Sequence, residues 1–191
     1  MKRFAALAAL VVMAAPFVQA QSSTWVADPM HSEVDFSVTH LSISNVRGRF
    51  GKVDATLVYD AKDVSKSTVK ATIDITSVNT GEEGRDKHLK TPDFFDTASF
   101  PTATFVSTAV SKSGAKLYVH GNLTLHGVTK PVVLTVEGPA GPVEGMDHKQ
   151  HAGFTATTTI SRTAFGIGSK FPAGVVGDDV KLSIDLDVAK Q

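Results

Sequence analysis

Past its first twenty residues, most of the chain alternates apolar and polar positions with a period of two, the pattern of strands that bury one face. In HSEVDFSVTH (31–40), Val34, Phe36 and Val38 fall on one side and Glu33, Asp35 and Ser37 on the other. VKATIDIT (69–76) sets Val69, Ala71, Ile73 and Ile75 against Lys70, Thr72, Asp74 and Thr76. KLYVHGNLTLHG (116–127) opposes Leu117, Val119, Leu123 and Leu125 to Tyr118, His120, Asn122 and Thr124. Near the C-terminus Val180, Leu182, Ile184, Leu186 and Val188 oppose Lys181, Ser183, Asp185 and Asp187. Noisier versions run through 53–59, 103–110, 132–137 and 154–161. The pattern predicts about eight strands rich in Val, Ile and Thr, with Gly, Pro or Asn between most of them. Strands this numerous, each with one apolar face, either stack as a sandwich or close as a barrel. Closure alone removes every edge.

The connections are short or Gly/Pro-rich. His126–Gly127 marks a tight turn between a strand ending at Leu125 and one resuming near Val132, while 138–153 and 166–179 read as loops. One short helix is expected, near residues 81–91 in GEEGRDKHLKTPDFFD (81–96). Thr80 and Glu83 have capping-box spacing, and Pro92 turns Thr91 away from helical geometry. On a helical wheel Arg85, His88, Leu89 and Pro92 share one face. Glu83–Lys87 and Asp86–Lys90 form i,i+4 acid–base pairs toward the other. Asp86 and His88 are two apart and do not face each other, which disfavours a catalytic dyad. Leu89 followed by Phe94 and Phe95 predicts a cap over one barrel end, carrying Arg85 and His88 with it.

The expected inward faces are aliphatic, with Ala71, Ala109, Gly121 and Ala156 leaving room among them. About eight strands make a barrel that is either filled by side chains or holds one small ligand. A dry, packed core fits the same pattern as a lumen for a hydrocarbon guest. Residues 1–20 (Lys2, Arg3, an apolar run, then Val18 and Ala20 before a cut) read as a cleavable signal peptide, leaving one domain at 21–191. The full chain's 19 Lys+Arg balance 19 Asp+Glu, and loss of Lys2 and Arg3 leaves a slight acidic excess. No basic stripe points to nucleic acid, and zero cysteines exclude disulfides and thiolate chemistry.

Chemical motifs are sparse. His148 and His151 form a lone HxxH in a polar loop, and His120 and His126 lie too far apart on one strand to chelate one ion. No GxSxG, HExxH or phosphate-cradling glycine loop occurs, so no catalytic residue, metal or cofactor is expected. His40, on the side of Phe36 and Val38, points toward one barrel end, and Arg162, the one basic residue in the neutral stretch 152–169, suits a rim salt bridge or a role at the lumen end.

Four collinear motifs, DPMHSEVDFSVTH (28–40), GRDKHLKTPDFFDTASFPTATFVST (84–108), GNLTLHGVTKPVVL (121–134) and ISRTAFGI (160–167), resemble the YceI family of exported lipid-binding proteins. The resemblance implies an all-β fold, an eight-stranded antiparallel lipocalin-like barrel with an isoprenoid (polyprenyl or quinone) tail in its lumen, and a periplasmic location. It leaves room for a homodimer and for transient contact with an inner-membrane protein. On this reading the tail meets Val34, Phe36, Val38, Leu57, Ile73, Ile75, Leu89, Phe94, Phe95, Phe105, Leu123, Leu125, Phe154, Ile184 and Leu186. The head group meets His40, Arg85, His88 or Arg162 at one end. Two rivals stay open: an enzyme acting on an isoprenoid or quinone through His40, His88 and Arg162, and a stress-response barrel with a filled core.

Overall fold

The computed structural model describes residues 22–191; the leader expected at 1–20 lies outside the described residues. The strands are β1 (Ser22–Ala27), β2 (Glu33–His40), β3 (Ser44–Phe50), β4 (Val53–Asp60), β5 (Thr68–Asp74), β6 (Val78–Asn79), β7 (Thr102–Ser113), β8 (Lys116–Leu125), β9 (Val128–Glu144), β10 (Gln150–Ser161) and β11 (Val176–Lys190). One α-helix, α1 (Glu83–Leu89), sits between β6 and β7. All pairings are antiparallel, and β1 meets β11 to close the sheet. β1 pairs with β4 while β2 pairs with β3, and β4 then pairs with β5 while β3 pairs with β6. The first six strands are therefore three staves broken in the middle. With β7 to β11 they make an eight-stave barrel.

β11 forms the seam. Val188, Ala189 and Lys190 pair with β1, and Val176 to Asp185 pair with β2. Across the break at Asp28–Ser32, the Asp187 carbonyl accepts from the Asp28 N–H (2.8 Å) and from Ser32 Oγ (3.1 Å). The outward positions of β11 are Lys181, Ser183, Asp185 and Asp187, and β10 presents Thr155, Thr157 and Thr159. A membrane-spanning barrel turns its apolar band outward instead, since a charged residue at mid-membrane costs about 2–4 kcal/mol. Here the apolar side is inside.

Four expected features are corrected. The β8–β9 hairpin is tighter than expected: His126 (φ 51°) and Gly127 (φ 73°) make a two-residue turn, and β9 resumes at Val128. β9 then continues to Glu144 and absorbs part of the expected 138–153 loop. In β7 the register with β8 shifts between Ser107 and Ala109, which turns Ala109 outward and gives the inward position to Val110. Nor does Gly121 leave an open gap. The Phe105 ring lies against its Cα, and a Cβ there would also stand 2.7 Å from the Val106 carbonyl. Gly121→Ala is therefore expected to destabilise the barrel by about 1–3 kcal/mol, read as a lowered urea midpoint with unchanged slope.

Candidate functional site

The inward faces enclose two cavities. One, of about 1090 Å³ of empty space counted to its mouth, lies between the midpoint and the end formed by Tyr59, Ser67, Leu117 and Phe154. The other, of about 830 Å³, runs from the midpoint to the end beneath α1. Val34, Ile73, Leu123 and Leu182 line both, so they are halves of one lumen. All fifteen side chains expected along the tail line one half or both. They are joined by residues whose signal was weaker, among them Phe50, Val53, Val110 and Ile167. Phe50 belongs to β3, whose alternation of Val46, Gly48 and Phe50 is hidden by a glycine. The Phe36 ring fills the place where a Gly48 side chain would be.

Beneath the lid, Phe50 meets Phe36 (5.4 Å between centroids) and Phe95 (5.7 Å, edge-on). Leu89 and Phe94 complete the covering layer. The helix is shorter than expected, and Glu82 caps it: its carboxylate accepts from the Gly84 and Arg85 N–H groups. Thr80 and Glu83 thus form no capping box. Glu83 pairs with Lys87 at 2.6 Å. Asp86 turns away from Lys90 and accepts instead from the Thr80 N–H (2.9 Å) and hydroxyl (2.5 Å).

The four residues expected at the head group have other roles. Arg85 donates through Nε to Thr80 Oγ1 (2.7 Å) and through Nη2 to the Thr80 carbonyl (2.9 Å), outside the lumen lining. His88 lies on the outer side of the lid, bonded to Asp93 (3.2 Å) and edge-on to Phe94 (5.1 Å) and Phe171 (6.0 Å). Phe94 and Phe171 stack at 4.9 Å, and Lys170 pairs with Asp93, so the lid is clasped to the 162–175 loop. His40 is exposed: it ends β2, still in register with β3 opposite Ser44, and lies beyond Val38, the last residue of that strand to line the lumen. Arg162 lines the lid end but is 3 % exposed. Its five N–H groups all reach main-chain carbonyls: Gly177 from Nε (3.0 Å), Ile167 and Gly168 from Nη1 (2.9 and 2.6 Å), Phe171 and Val176 from Nη2 (both 2.7 Å). A guanidinium has five donors, so none is left for a head group. Neither a rim ion pair nor a ligand contact describes this side chain; it holds the 162–177 loop.

The HxxH is likewise divided. His148 bonds Glu144 (3.2 Å), while His151 bridges Asp187 (2.7 Å) and Asp147 (3.1 Å). No group of three or more His, Cys, Asp or Glu among the described residues is placed to hold a metal ion.

A YceI-like domain model matches residues 25–188, nearly the whole described chain. The chain belongs to the YceI-like family. Protein YceI of Salmonella newport is 39% identical over 161 residues, covering 84% of this chain and 83% of that one. Among solved structures, BcnA of Burkholderia cenocepacia superposes with a TM-score of 0.76 at 26% identity, covering 84% of this chain and 98% of its own. A polyisoprenoid binding domain from Saccharophagus degradans, implicated in plant cell wall breakdown, superposes with a TM-score of 0.64 over 90% of this chain and all of its own. At 16% identity that likeness shows the shared fold.

Two outcomes are expected at this YceI-like site. Arg162→Met should take a donor from five carbonyls, of which Gly168 keeps the Phe171 N–H, at about 1–3 kcal/mol for each group left dry, seen as a lowered Tm and faster amide exchange over 163–177. Arg162→Lys, with three donors, should restore part of that loss. At the other end, Asp187 first and Asp147 second raise the His151 pKa above the usual imidazole value. A raised folded-state pKa contributes stability that is fully present below about pH 6.5 and is lost as pH rises through the folded value. Amide exchange at the 145–149 tip should therefore quicken as pH climbs past that value, beyond the intrinsic pH trend, and His151→Asn should abolish the excess.

Proposed function

We propose that this protein binds one isoprenoid lipid, its polyprenyl or quinone tail laid along the barrel lumen, and carries or stores it in the periplasm without chemistry of its own. The observation that carries the reading is the continuous hydrocarbon wall from the Tyr59 end to the lid. Such a wall offers a long chain no hydrogen bonds and rewards it by burial alone, about 25 cal/mol per Å². The polyisoprenoid-binding neighbour from Saccharophagus degradans supports the ligand class. Export rests on the leader pattern of residues 1–20. Against an enzyme, His40 and His88 lie outside the lumen lining and the Arg162 donors are spent, so no pair of ionisable groups among the described residues converges on the cavity.

Organic-solvent extraction of the purified protein, followed by mass spectrometry, should yield a stoichiometric isoprenoid. A protein that comes out empty and also fails to take up added quinone or polyprenyl lipid would sink the carrier reading. Ile73 borders both halves of the lumen. Ile73→Trp should therefore block lipid uptake while leaving the far-UV circular dichroism of the barrel unchanged, and undiminished uptake would refute the lumen as the binding site.

A further inference from the structure

The β2–β3 hairpin turns at the lid end through Leu41, Ser42 and Ile43, just past the lumen-lining Val38. Two of the three are large aliphatics facing solvent: Leu41 is 49 % exposed and Ile43 84 %. The backbone is unusual as well. Leu41 (φ 51°) and Ser42 (φ 61°) are both left-handed, a conformation that presses Cβ against the following carbonyl and is ordinarily left to Gly, Asn or Asp. Hairpin turns that need two such residues favour Asn-Gly or Asp-Gly for that reason. The geometry points to this tip as a docking element that seats the lid end of the barrel on the surface of an anionic lipid bilayer.

The tip is held in place by its main chain. The Leu41 N–H donates to the Val175 carbonyl (2.9 Å) and the Ile43 N–H to the His40 carbonyl (3.1 Å). The aliphatic side chains contribute nothing to the fold in return, since neither packs in the core nor lines the lumen. Strain that brings the fold no contact is the kind kept where function uses it. Val175 belongs to a second turn, its N–H on the Pro172 carbonyl (2.8 Å), and Pro172, Ala173 and Val175 are exposed too. The Leu41–Val175 bond joins the two turns, which together present five exposed apolar residues. This surface continues into the lid clasp: Val176 lines the lid half of the lumen, and Phe171 stacks on Phe94.

Size and charge both favour a bilayer as the occupant. A stable interface with another protein, or with a second copy of this chain, takes about 20–30 residues on each side, far more than this tip presents. A bilayer needs no matching shape: apolar side chains enter between its head groups, with a strength set by buried apolar area and by attraction to anionic lipid. The two segments that carry the tip and its neighbouring turn, 36–48 and 168–177, contain no Asp or Glu, and their ionisable residues, His40, Arg47 and Lys170, are all basic. Arg47 stands exposed on β3 opposite Ser37. The acids that adjoin these segments are engaged: Asp93 with Lys170 and His88, and Asp178 with the Thr163 N–H (3.0 Å) and hydroxyl (2.6 Å). The β9–β10 tip at the opposite end also exposes a large apolar residue, Met146, but sets it between Glu144 and Asp147, which anionic lipid repels.

The test is co-flotation of the purified protein with vesicles of phosphatidylethanolamine and phosphatidylglycerol, and with vesicles of phosphatidylcholine alone, for the wild type, Leu41→Asn, Ile43→Asp and Met146→Asp. The wild type should float with the anionic vesicles and more weakly with phosphatidylcholine. Ile43→Asp should weaken binding to the anionic vesicles by about ten-fold or more, and Met146→Asp should leave it unchanged. Leu41→Asn separates docking from folding, because Asn accepts the left-handed backbone: its Tm should hold or rise while vesicle binding falls. A lowered Tm with undiminished vesicle binding in Leu41→Asn assigns the leucine to the fold and overturns the inference. So does an Ile43→Asp protein that binds vesicles as before but changes from dimer to monomer in sedimentation, which assigns the tip to a second copy of this chain. Binding lost in Met146→Asp and kept in Ile43→Asp overturns the orientation, and equal binding to both vesicle types overturns the anionic preference. A wild type that ignores anionic vesicles removes the docking surface and leaves the carrier reading standing, since lipid in the lumen is detected by extraction without any bilayer.

Discussion

The barrel closes on β11, and the lumen exists because it closes. Eight staves joined by backbone hydrogen bonds at a spacing of about 4.8 Å have a girth set by the main chain. Side chains pointing inward cannot draw the wall tighter to fill the axis. β11 carries that constraint by pairing with β10 on one side and with β2 and β1 in succession on the other. The bend at Asp28–Ser32 would leave a gap in the seam, and the Asp187 carbonyl bridges it with two hydrogen bonds. The surplus space then runs along the axis between Val, Leu, Ile and Phe side chains, where water has few partners and a hydrocarbon has many.

The ends of this tube are built on different principles. At the lid end, every polar group near the axis is committed. Arg162 gathers five carbonyls of one loop, and the stacked Phe94 and Phe171, with the Lys170–Asp93 pair, tie that loop to the lid. The polar clamp faces the protein, and the surface facing the lumen is hydrocarbon. At the Tyr59 end, tight turns and a short 3-10 segment leave uncharged hydroxyls at the border of the cavity. One end is closed and dry.

How far this was legible in the sequence depends on the range of the interaction involved. Side-chain alternation is a covalent property of an extended chain, so the inward faces could be read residue by residue, and the fifteen positions expected along a tail all border the lumen. Parity failed where a strand slips, at Ser107–Ala109, because a bulge is a compromise between two strands that leaves little mark on either alone; at His40 the strand simply runs past its last lumen-lining residue, Val38. The expected capping box at Thr80 failed for a related reason: Thr80 was taken by Asp86 and Arg85, and Glu82 moved into the cap.

Arg162 shows the limit most clearly. Its sequence surroundings mark a lone cation in a neutral stretch, which suits a rim ion pair or a ligand contact, yet its partners are carbonyls up to 15 residues away that converge only when the loop folds over it. The sequence by itself determined the number of staves, the apolar inward face, the family motifs and the cap-forming Leu89–Phe94–Phe95 run, all set by local periodicity and short-range pattern. Tertiary structure alone decided which polar groups are left free. A donor's availability depends on what the rest of the chain brings within about 3 Å, and that choice emptied the lid end of the head-group candidates expected there.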